Sequence, residues 1–285
     1  MGGLHDAERC RSGRTGRSRK PLCILCTVGS NPTLSAIFFR LQFWNMIMPG
    51  PTSNVLIPFQ IERQPDPVTC GATCLHGLYR FFQREIPLER LVREVPQLKT
   101  GGTHGVLLGQ HALRAGFSVE LVTYNLYMFD PTWFAEGVDL AEKLRLQMAA
   151  KPRKGFQRAA GHYLRFLEMG GQIRMADLTS ALIRGYLRQG LPILTGLNST
   201  YLYREARVVS ETNEQDDVRG TPEGHFVVLC GCDQRSVRVA DPYHPNAWAK
   251  NPIYEVPMDR MLNAILLGIV TYDANLVVLR PQESL

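Results

Sequence analysis

The residues best suited to chemistry are a cysteine, a histidine and an aspartate that lie in two short segments. Cys70 lies in QPDPVTCGATCL, whereas His225 and Asp241 lie near the two ends of GHFVVLCGCDQRSVRVADPY. A thiolate can attack an acyl carbon, a histidine can stabilise the thiolate and protonate the leaving group, and a carboxylate can orient that histidine. Together these residue types indicate a thiol acyl-transfer site.

Two cysteines lie one helical turn apart, and the pattern around them separates their roles. In CGATCLHGLYRFFQ the apolar residues recur at helical spacing, which predicts a helix that begins at or near Cys70. The backbone N–H groups and the dipole at a helix N-terminus lower the pKa of a thiol. We therefore expect Cys70 to be the nucleophile and Cys74, one turn further on, to pack in the core.

The role of Asp241 follows from a predicted hairpin. The runs HFVVLC and VRVAD are typical of strands, and a turn lies between them near Asp233. If the turn is centred on Asp233, residues equally far before and after it face each other, so His225 lies opposite Asp241. Asp241 is then expected to orient the imidazole, whereas a register shift of one residue would point the two side chains to opposite faces.

Gln64 precedes Cys70 by six residues, with Pro65, Asp66 and Pro67 forming a turn between them. This spacing can bring the side-chain amide of Gln64 beside the backbone N–H of Cys70. Two such donors would hold an oxyanion that develops on the attacked carbonyl. Gln64 is therefore the fourth predicted site residue.

From about residue 55 the pattern predicts a mixed α and β domain. The predicted strands cover about 55–60, 117–124, 191–197, 225–230, 237–241 and 274–280, and the predicted helices cover about 70–83, 88–95 and 106–115. Residues 136–189 are expected to be largely helical. The polar run 204–223 has no apolar period and is expected to be an exposed loop, with a hypothetical role as a lid over the site.

The net charge of +6 carries little functional information, because it is concentrated at one end of the chain. Residues 1–20 contain six Lys or Arg against two acidic residues, which leaves about +2 for the remainder. These residues are also poor in apolar side chains, which predicts disorder. Residues 1–47 are therefore expected to be a disordered or wrongly assigned extension, and a targeting signal is the alternative. Nucleic-acid binding would depend on this tail alone.

The seven cysteines do not form the pattern of a disulfide scaffold, so we expect a reducing compartment and a cytoplasmic protein. Cys23 and Cys26 form a CxxC without a second pair, and the histidines His76, His104 and His111 lack acidic or cysteine partners at metal-ligand spacing. Neither group favours a metal site, and no cofactor is expected. Cys230 and Cys232 are expected to be packing residues.

The motif set resembles the papain-like cysteine peptidases that remove double-glycine leaders from bacteriocin precursors. The resemblance extends over roughly residues 58–280 and rests on Gln64, Cys70 followed by Gly-Ala, His225 at the head of a strand, and Asp241-Pro242. It implies an α+β papain-like fold, with a helical half that starts at the nucleophile and an antiparallel sheet that carries the histidine and the aspartate. In that family the cysteine is the nucleophile, the histidine the base, the aspartate the orienting residue and the glutamine the oxyanion donor.

The chain also departs from the family, whose members are typically fused to a membrane transporter with an ATPase. No spanning segment and no nucleotide-binding motif is found in this sequence. We expect a stand-alone peptidase-like domain over residues 48–285, with a helical insertion at about 136–189.

The expected function is cleavage of a peptide or amide bond through a thioester on Cys70. Three alternatives stay open: an acyltransferase that uses the same site, a catalytically silent peptide-binding domain and, more weakly, a nucleic-acid binder. The expected partner is a peptide or amide substrate, with no nucleic acid and no membrane segment. The sequence carries no information on the oligomeric state.

Overall fold

The computed structural model describes residues 54–98, 101–271 and 274–282. The expectation for residues 1–47, including the CxxC of Cys23 and Cys26, lies outside these ranges. Within them, no helix combines the length and the apolar character that crossing a membrane requires.

Eight α-helices occur in the described ranges. They are α1 (Cys70–Phe81), α2 (Leu88–Glu94), α3 (Gly105–Arg114), α4 (Leu140–Ala150), α5 (Lys154–Glu168), α6 (Ser180–Arg188), α7 (Ser199–Tyr203) and α8 (Met258–Leu267). Helix α1 buries almost its whole length, as the apolar period of its sequence predicts. It begins at Cys70, which confirms the predicted position of this residue at a helix N-terminus.

The strands form one large, mainly antiparallel sheet and one separate small hairpin. They are β1 (Val55–Leu56), β2 (Phe117–Thr123), β3 (Gln172–Arg174), β4 (Ile193–Asn198), β5 (Val208–Val209), β6 (Glu214–Gln215), β7 (Gly224–Cys232), β8 (Ser236–Ala240), β9 (Ile253–Pro257) and β10 (Asn275–Pro281). The large sheet has the order β3-β2-β10-β4-β7-β8-β9, and β1 pairs with the end of β7. Only the β2–β3 pair is parallel among the described strands. The α+β fold class predicted from the sequence is confirmed.

The predicted register of the β7–β8 hairpin is wrong. Val228 pairs with Ala240 rather than with Arg238, so the strands are displaced by two residues near His225. A bulge between Leu229 and Gly231 adds one further residue towards the turn. The turn covers residues 233–235 and is therefore centred on Gln234 rather than on Asp233. The Asp233 carboxylate accepts hydrogen bonds from the N–H groups of Arg235 and of Ser236, the first residue of β8. A shift of two residues leaves His225 and Asp241 on the same face of the sheet.

The segment 204–223 is more ordered than the expected exposed loop. Strands β5 and β6 pair within it, and Val208 forms a further bridge to Thr221. The Asp216 carboxylate accepts hydrogen bonds from the N–H groups of Val218 and Arg219. A polar sequence without an apolar period can therefore still form a small hairpin. The role of this segment as a lid stays a prediction.

Besides β5 and β6, four further elements lie where the sequence predicted none or a different type. Strand β3 interrupts the helices α4, α5 and α6 in the stretch 136–189, and the short helix α7 follows β4 directly. Strand β9 and helix α8 lie after the predicted hairpin, in a stretch for which no element was predicted. Of these, α7 and β9 matter for the site because they place side chains next to Asp241.

Helix α1 packs directly against β7, and two small residues allow this close approach. Gly71 has no room for a side chain: a Cβ atom there would lie 2.8 Å from Thr103 Cγ2 and 3.2 Å from Phe226 Cδ2. One turn later the Cys74 thiol donates to the carbonyl oxygen of Phe226 at 3.3 Å. The contact joins the helix that begins at Cys70 to the strand that carries His225.

Candidate active site

Cys70 is the first residue of α1, and its side chain is buried with 6% of the residue exposed. The first N–H groups of a helix have no partner within the helix, so they present partial positive charge around this thiol. The side chain of Cys70 interacts with the ring of His225, and this interaction helps to raise the pKa of His225. The sequence predicts that the two residues lie together, and the structure places them within reach of this interaction.

The turn before Cys70 is organised by Asp66 and Thr69. The Asp66 carboxylate accepts a hydrogen bond from the N–H of Val68 at 2.9 Å, an Asx turn that suits a Pro-Asp-Pro sequence. The Asp66 carbonyl oxygen accepts from the Thr69 hydroxyl at 3.1 Å. The Thr69 carbonyl in turn accepts the N–H of Thr73, so the turn leads directly into α1. These local bonds fix the path of the chain between Gln64 and Cys70.

His225 and Asp241 form a buried hydrogen-bonded pair. His225 Nε2 lies 2.8 Å from Asp241 Oδ1, and the exposed fractions of the two residues are 8% and 0%. Because the carboxylate can only accept, Nε2 carries the proton in this bond. Nδ1 is therefore the ring nitrogen left to face Cys70. Asp241 is hydrogen-bonded to the imidazole, although the register that led to this expectation is wrong. Its role in orienting the ring for catalysis stays a prediction.

The electrostatics of the pair favour charge separation. Burial alone would lower the pKa of His225, but the Asp241 carboxylate and the hydrogen bonds to Asp241 and Cys70 outweigh it and raise the pKa. Burial likewise acts to raise the pKa of Asp241, whereas the nearby His225 charge and the hydrogen bonds to it lower the pKa. The favoured state is an imidazolium beside a carboxylate, which is the partner that a thiolate needs.

Cys74 lies in a different environment from Cys70. Burial raises its pKa well above the ordinary value, and the nearby Cys70 and Asp241 add to the effect. Its thiol already donates to the Phe226 carbonyl. Cys74 is therefore a protonated core residue, as expected from its place one turn into the helix.

The structure surrounds Asp241 with donors that the sequence argument did not assign to it. The Tyr203 hydroxyl donates to Oδ2 at 2.7 Å, the Tyr254 hydroxyl donates to Oδ2 at 2.5 Å, and Asn246 Nδ2 lies 3.2 Å from the same oxygen. The N–H of Tyr243 donates to Oδ1 at 2.9 Å. The sequence does not single out Tyr203 as a residue of this site. Tyr254 carried no signal, because β9 was not predicted.

Gln64 is the fourth predicted site residue, and its hydrogen bonds in the structure go to residues other than Cys70. Its amide nitrogen donates to the Asp66 carbonyl at 2.9 Å, and its amide oxygen is buried without a partner. Its backbone N–H donates to the carbonyl of Pro242 at 3.0 Å, which ties the turn to the residue after Asp241. The amide has a second N–H, so its role as an oxyanion donor stays a prediction.

The other histidines considered from the sequence have separate surroundings. Tyr79 donates to His111 Nδ1 at 2.8 Å, and His111 Nε2 lies 3.0 Å from a Glu94 carboxylate oxygen, so this histidine is satisfied within the helical half. Burial lowers the pKa of His104, and the neighbouring His162 adds to the effect. Among the described residues, no three His, Cys, Asp or Glu side chains form a group suited to hold a metal ion.

Among the comparisons with known proteins, only the comparison with solved structures finds similar proteins. No protein-family model and no curated protein sequence matches the chain. A putative C39-like peptidase from Bacillus anthracis is 14% identical with a TM-score of 0.46, over 81% of this chain and 100% of that chain. Xylellain, a cysteine protease from Xylella fastidiosa, is 15% identical with a TM-score of 0.41, over 89% and 91%.

A third similar structure is a double glycine motif protease from an AMS/PCAT transporter, crystallised with the leader peptide. It is 14% identical with a TM-score of 0.40, over 82% of this chain and 100% of that chain. By their names these neighbours are peptidases or proteases, and xylellain is a cysteine protease. The chain itself has an α+β arrangement, with a helical half that begins at Cys70 and a mainly antiparallel sheet that carries His225 and ends one strand directly before Asp241.

Proposed function

We propose that the chain is a cysteine peptidase or amidase that cleaves a peptide bond through Cys70, His225 and Asp241. The observation that carries this proposal is the His225 ring, which is held by the Asp241 carboxylate at 2.8 Å and interacts with the side chain of Cys70 at the start of α1. A cysteine at a helix N-terminus that contacts a histidine, which is itself held by a carboxylate, has the three parts of an activated thiol nucleophile.

In the first step, the Cys70 thiolate attacks the carbonyl carbon of the substrate amide and forms a carbon–sulfur bond. The carbonyl oxygen takes the negative charge and accepts hydrogen bonds from the Cys70 N–H and from the second amide hydrogen of Gln64. His225, as imidazolium, gives its Nδ1 proton to the amide nitrogen. The carbon–nitrogen bond then breaks, the amine leaves, and a thioester remains on Cys70.

In the second step, a water molecule attacks the thioester carbon. The neutral His225 takes a proton from this water, and Asp241 stabilises the imidazolium that forms. The carbon–sulfur bond breaks, releasing a carboxylic acid and restoring the thiolate beside His225. If an amine takes the place of water, the product is a new amide, which is the acyltransferase outcome.

The proposed substrate is a peptide, and the proposed compartment is the cytoplasm. Four described cysteines, Cys70, Cys74, Cys230 and Cys232, are free thiols, which agrees with a reducing environment. An oxidising compartment would expose the proposed nucleophile to competing oxidation. Localising a tagged full-length chain tests this part of the proposal, which would be abandoned if the protein were found in an oxidising compartment.

A peptide library incubated with the wild-type chain, Cys70→Ala and Cys74→Ala tests the function. We expect new N- and C-termini with the wild type and with Cys74→Ala, and none with Cys70→Ala, as read by mass spectrometry. Added hydroxylamine would convert the thioester to a hydroxamate and so reveal the acyl-enzyme through which both hydrolysis and acyl transfer proceed. Binding of peptides without any cleavage by the wild type would instead support the catalytically silent domain.

A further inference from the structure

The carboxylate of Asp241 is held by more donors than the His225 interaction needs. Oδ1 accepts from His225 Nε2 at 2.8 Å and from the N–H of Tyr243 at 2.9 Å. Oδ2 accepts from the hydroxyls of Tyr203 at 2.7 Å and Tyr254 at 2.5 Å, and Asn246 Nδ2 lies 3.2 Å away. A carboxylate has about four lone-pair positions, so this group has little freedom to rotate.

The two tyrosines reach Asp241 from separate parts of the fold. Tyr203 is the last residue of α7, whose final carbonyls accept hydrogen bonds from the Arg260 guanidinium of α8. Tyr254 lies on β9 opposite Val239 of β8. The two hydroxyl groups therefore approach the carboxylate from two segments that are far apart in sequence, and Arg260 ties these segments together because α8 directly follows β9. A contact built in this way resists displacement better than one made by neighbours in sequence.

The phenols are suited to act as donors throughout the neutral range. Burial raises the pKa of both Tyr203 and Tyr254, and the Asp241 carboxylate raises it further. Both hydroxyls therefore keep their protons while Asp241 is ionised. An ionised carboxylate that is fully buried must be compensated by such donors, since burial otherwise favours the neutral acid.

We propose that Tyr203 and Tyr254 are positioning residues of the site: they fix the carboxylate of Asp241 in one orientation and keep it ionised. Asp241 in turn fixes the His225 ring, with Nδ1 directed at Cys70. The hydroxyls of Tyr203 and Tyr254 reach the carboxylate of Asp241, which is 0% exposed. The Tyr203 ring also packs beside the His225 ring, with the ring centroids 6.2 Å apart. This inference depends on the proposed role of Cys70 and His225.

The test measures the rate of Cys70 alkylation by iodoacetamide at pH 6 in the full-length chain, with peptide mapping to separate the cysteines. Tyr203→Phe and Tyr254→Phe keep the rings and remove only the hydroxyls. We expect each single variant to slow alkylation about three- to tenfold, and the double variant to slow it further, as for loss of a hydrogen bond to a charged group. Tyr79→Phe is the matched control, because it removes a buried hydroxyl that bonds to His111 and does not reach Asp241.

A double-mutant cycle separates positioning from a general effect on folding. In an Asp241→Ala background, the two Tyr→Phe substitutions should change the alkylation rate less than about twofold, because the group on which they act is gone. An equal slowing in both backgrounds would overturn the inference, and so would an unchanged rate in the double variant. If the variant that carries both Tyr→Phe substitutions does not fold, the cycle is measured with the single variants and with Asn246→Ala, which removes another donor to Asp241.

The outcomes also distinguish this inference from the proposed function. A wild-type Cys70 that reacts no faster than a free thiol would contradict the function itself. Fast alkylation that requires His225 and is insensitive to both tyrosines would leave the function in place and remove only the positioning role.

Discussion

At the scale of single residues, the site depends on two cysteines of the same helix having opposite chemistry. Cys70 lies at the first position of α1 and interacts with His225, whereas Cys74 is fully buried and its thiol donates a hydrogen bond to a backbone carbonyl. The apolar period of the sequence predicted both positions, and the structure confirms them, whereas the role of Cys70 as the nucleophile stays a prediction. The tyrosines that hold Asp241 had no such signal, since they depend on the path of α7 and β9.

Replacement of Cys74 tests this separation. We expect Cys74→Ala to keep the alkylation rate of Cys70 within about twofold of the wild type, and to lower the free energy of unfolding by about 1 kcal/mol through lost packing and a lost weak hydrogen bond. Peptide mapping after alkylation gives the rate at Cys70, and urea denaturation gives the free energy of unfolding. A large fall in Cys70 reactivity without unfolding would assign Cys74 a role that its burial does not suggest.

The charge of Asp241 should control the pH dependence of the thiol. The pKa of His225 is raised because the Asp241 carboxylate outweighs burial, so Asp241→Asn should lower this pKa below its ordinary value near 6.5. The imidazolium that stabilises the thiolate would then be lost, and we expect alkylation of Cys70 at pH 6 to slow about tenfold or more. Rates from pH 5 to 9 test this, with Asp233→Asn in the hairpin turn as the control carboxylate. A profile identical to that of the wild type would count against the electrostatic role of Asp241.

At the scale of elements, the sequence predicted the helices and strands that carry Cys70, His225 and Asp241, but not how the strands pair. Alternating apolar residues locate β7 and β8, whereas the bulge near Cys230 and the turn bonds of Asp233 set their register. His225 and Asp241 still lie on the same face of the sheet because the shift near His225 is two residues. Strand β9 was missed because it is short and only partly buried. Helix α8 was missed although its buried residues recur at helical spacing: Met258, Met261, Ala264 and Ile265.

The packing of α1 on β7 predicts a specific sensitivity at Gly71. A methyl group there would lie within 3.2 Å of Leu108 and Phe226 side-chain atoms and closer still to Thr103, so Gly71→Ala should displace the start of α1 from His225. We expect a loss of about 1–3 kcal/mol in the free energy of unfolding, as for overpacking, together with slower alkylation of Cys70.

Gly161→Ala is the matched control for Gly71→Ala. Gly161 lies inside α5, and an added Cβ atom would meet no atom within 4 Å. The substitution should stabilise the chain by up to about 1 kcal/mol, because alanine favours the helix interior. Urea denaturation and alkylation rates compare the two variants. Equal behaviour of both would show that α1 and β7 are not in the tight contact described.

At the scale of the whole molecule, the buried pair of His225 and Asp241 links folding to pH. The folded-state pKa of Asp241 is lowered, so its contribution to stability is present above the unfolded value of 3.8 and is lost as the pH falls further. The folded-state pKa of His225 is raised, so its contribution is present below 6.5 and is lost as the pH rises above that value. The pair should therefore stabilise the fold most between these two values.

This linkage is tested by urea denaturation of the wild type and of Asp241→Asn at a series of pH values. The difference in free energy of unfolding between the wild type and Asp241→Asn should be largest between about pH 4 and 6.5 and should shrink on both sides. Taking the difference cancels the other titrating groups. A difference that does not vary with pH would mean that the two residues do not form a charged pair in the folded chain.

The central claim, that Cys70 is a thiol activated by His225, is tested most directly by competitive alkylation. The full-length protein and an unstructured peptide with one cysteine would share a limiting amount of iodoacetamide at pH 6, and peptide mapping would give the labelled fraction at Cys70. The account predicts that Cys70 reacts about tenfold faster than the peptide thiol or more, and that His225→Ala removes the advantage. A Cys70 that reacts no faster than the peptide, or whose rate does not change in His225→Ala, would contradict it.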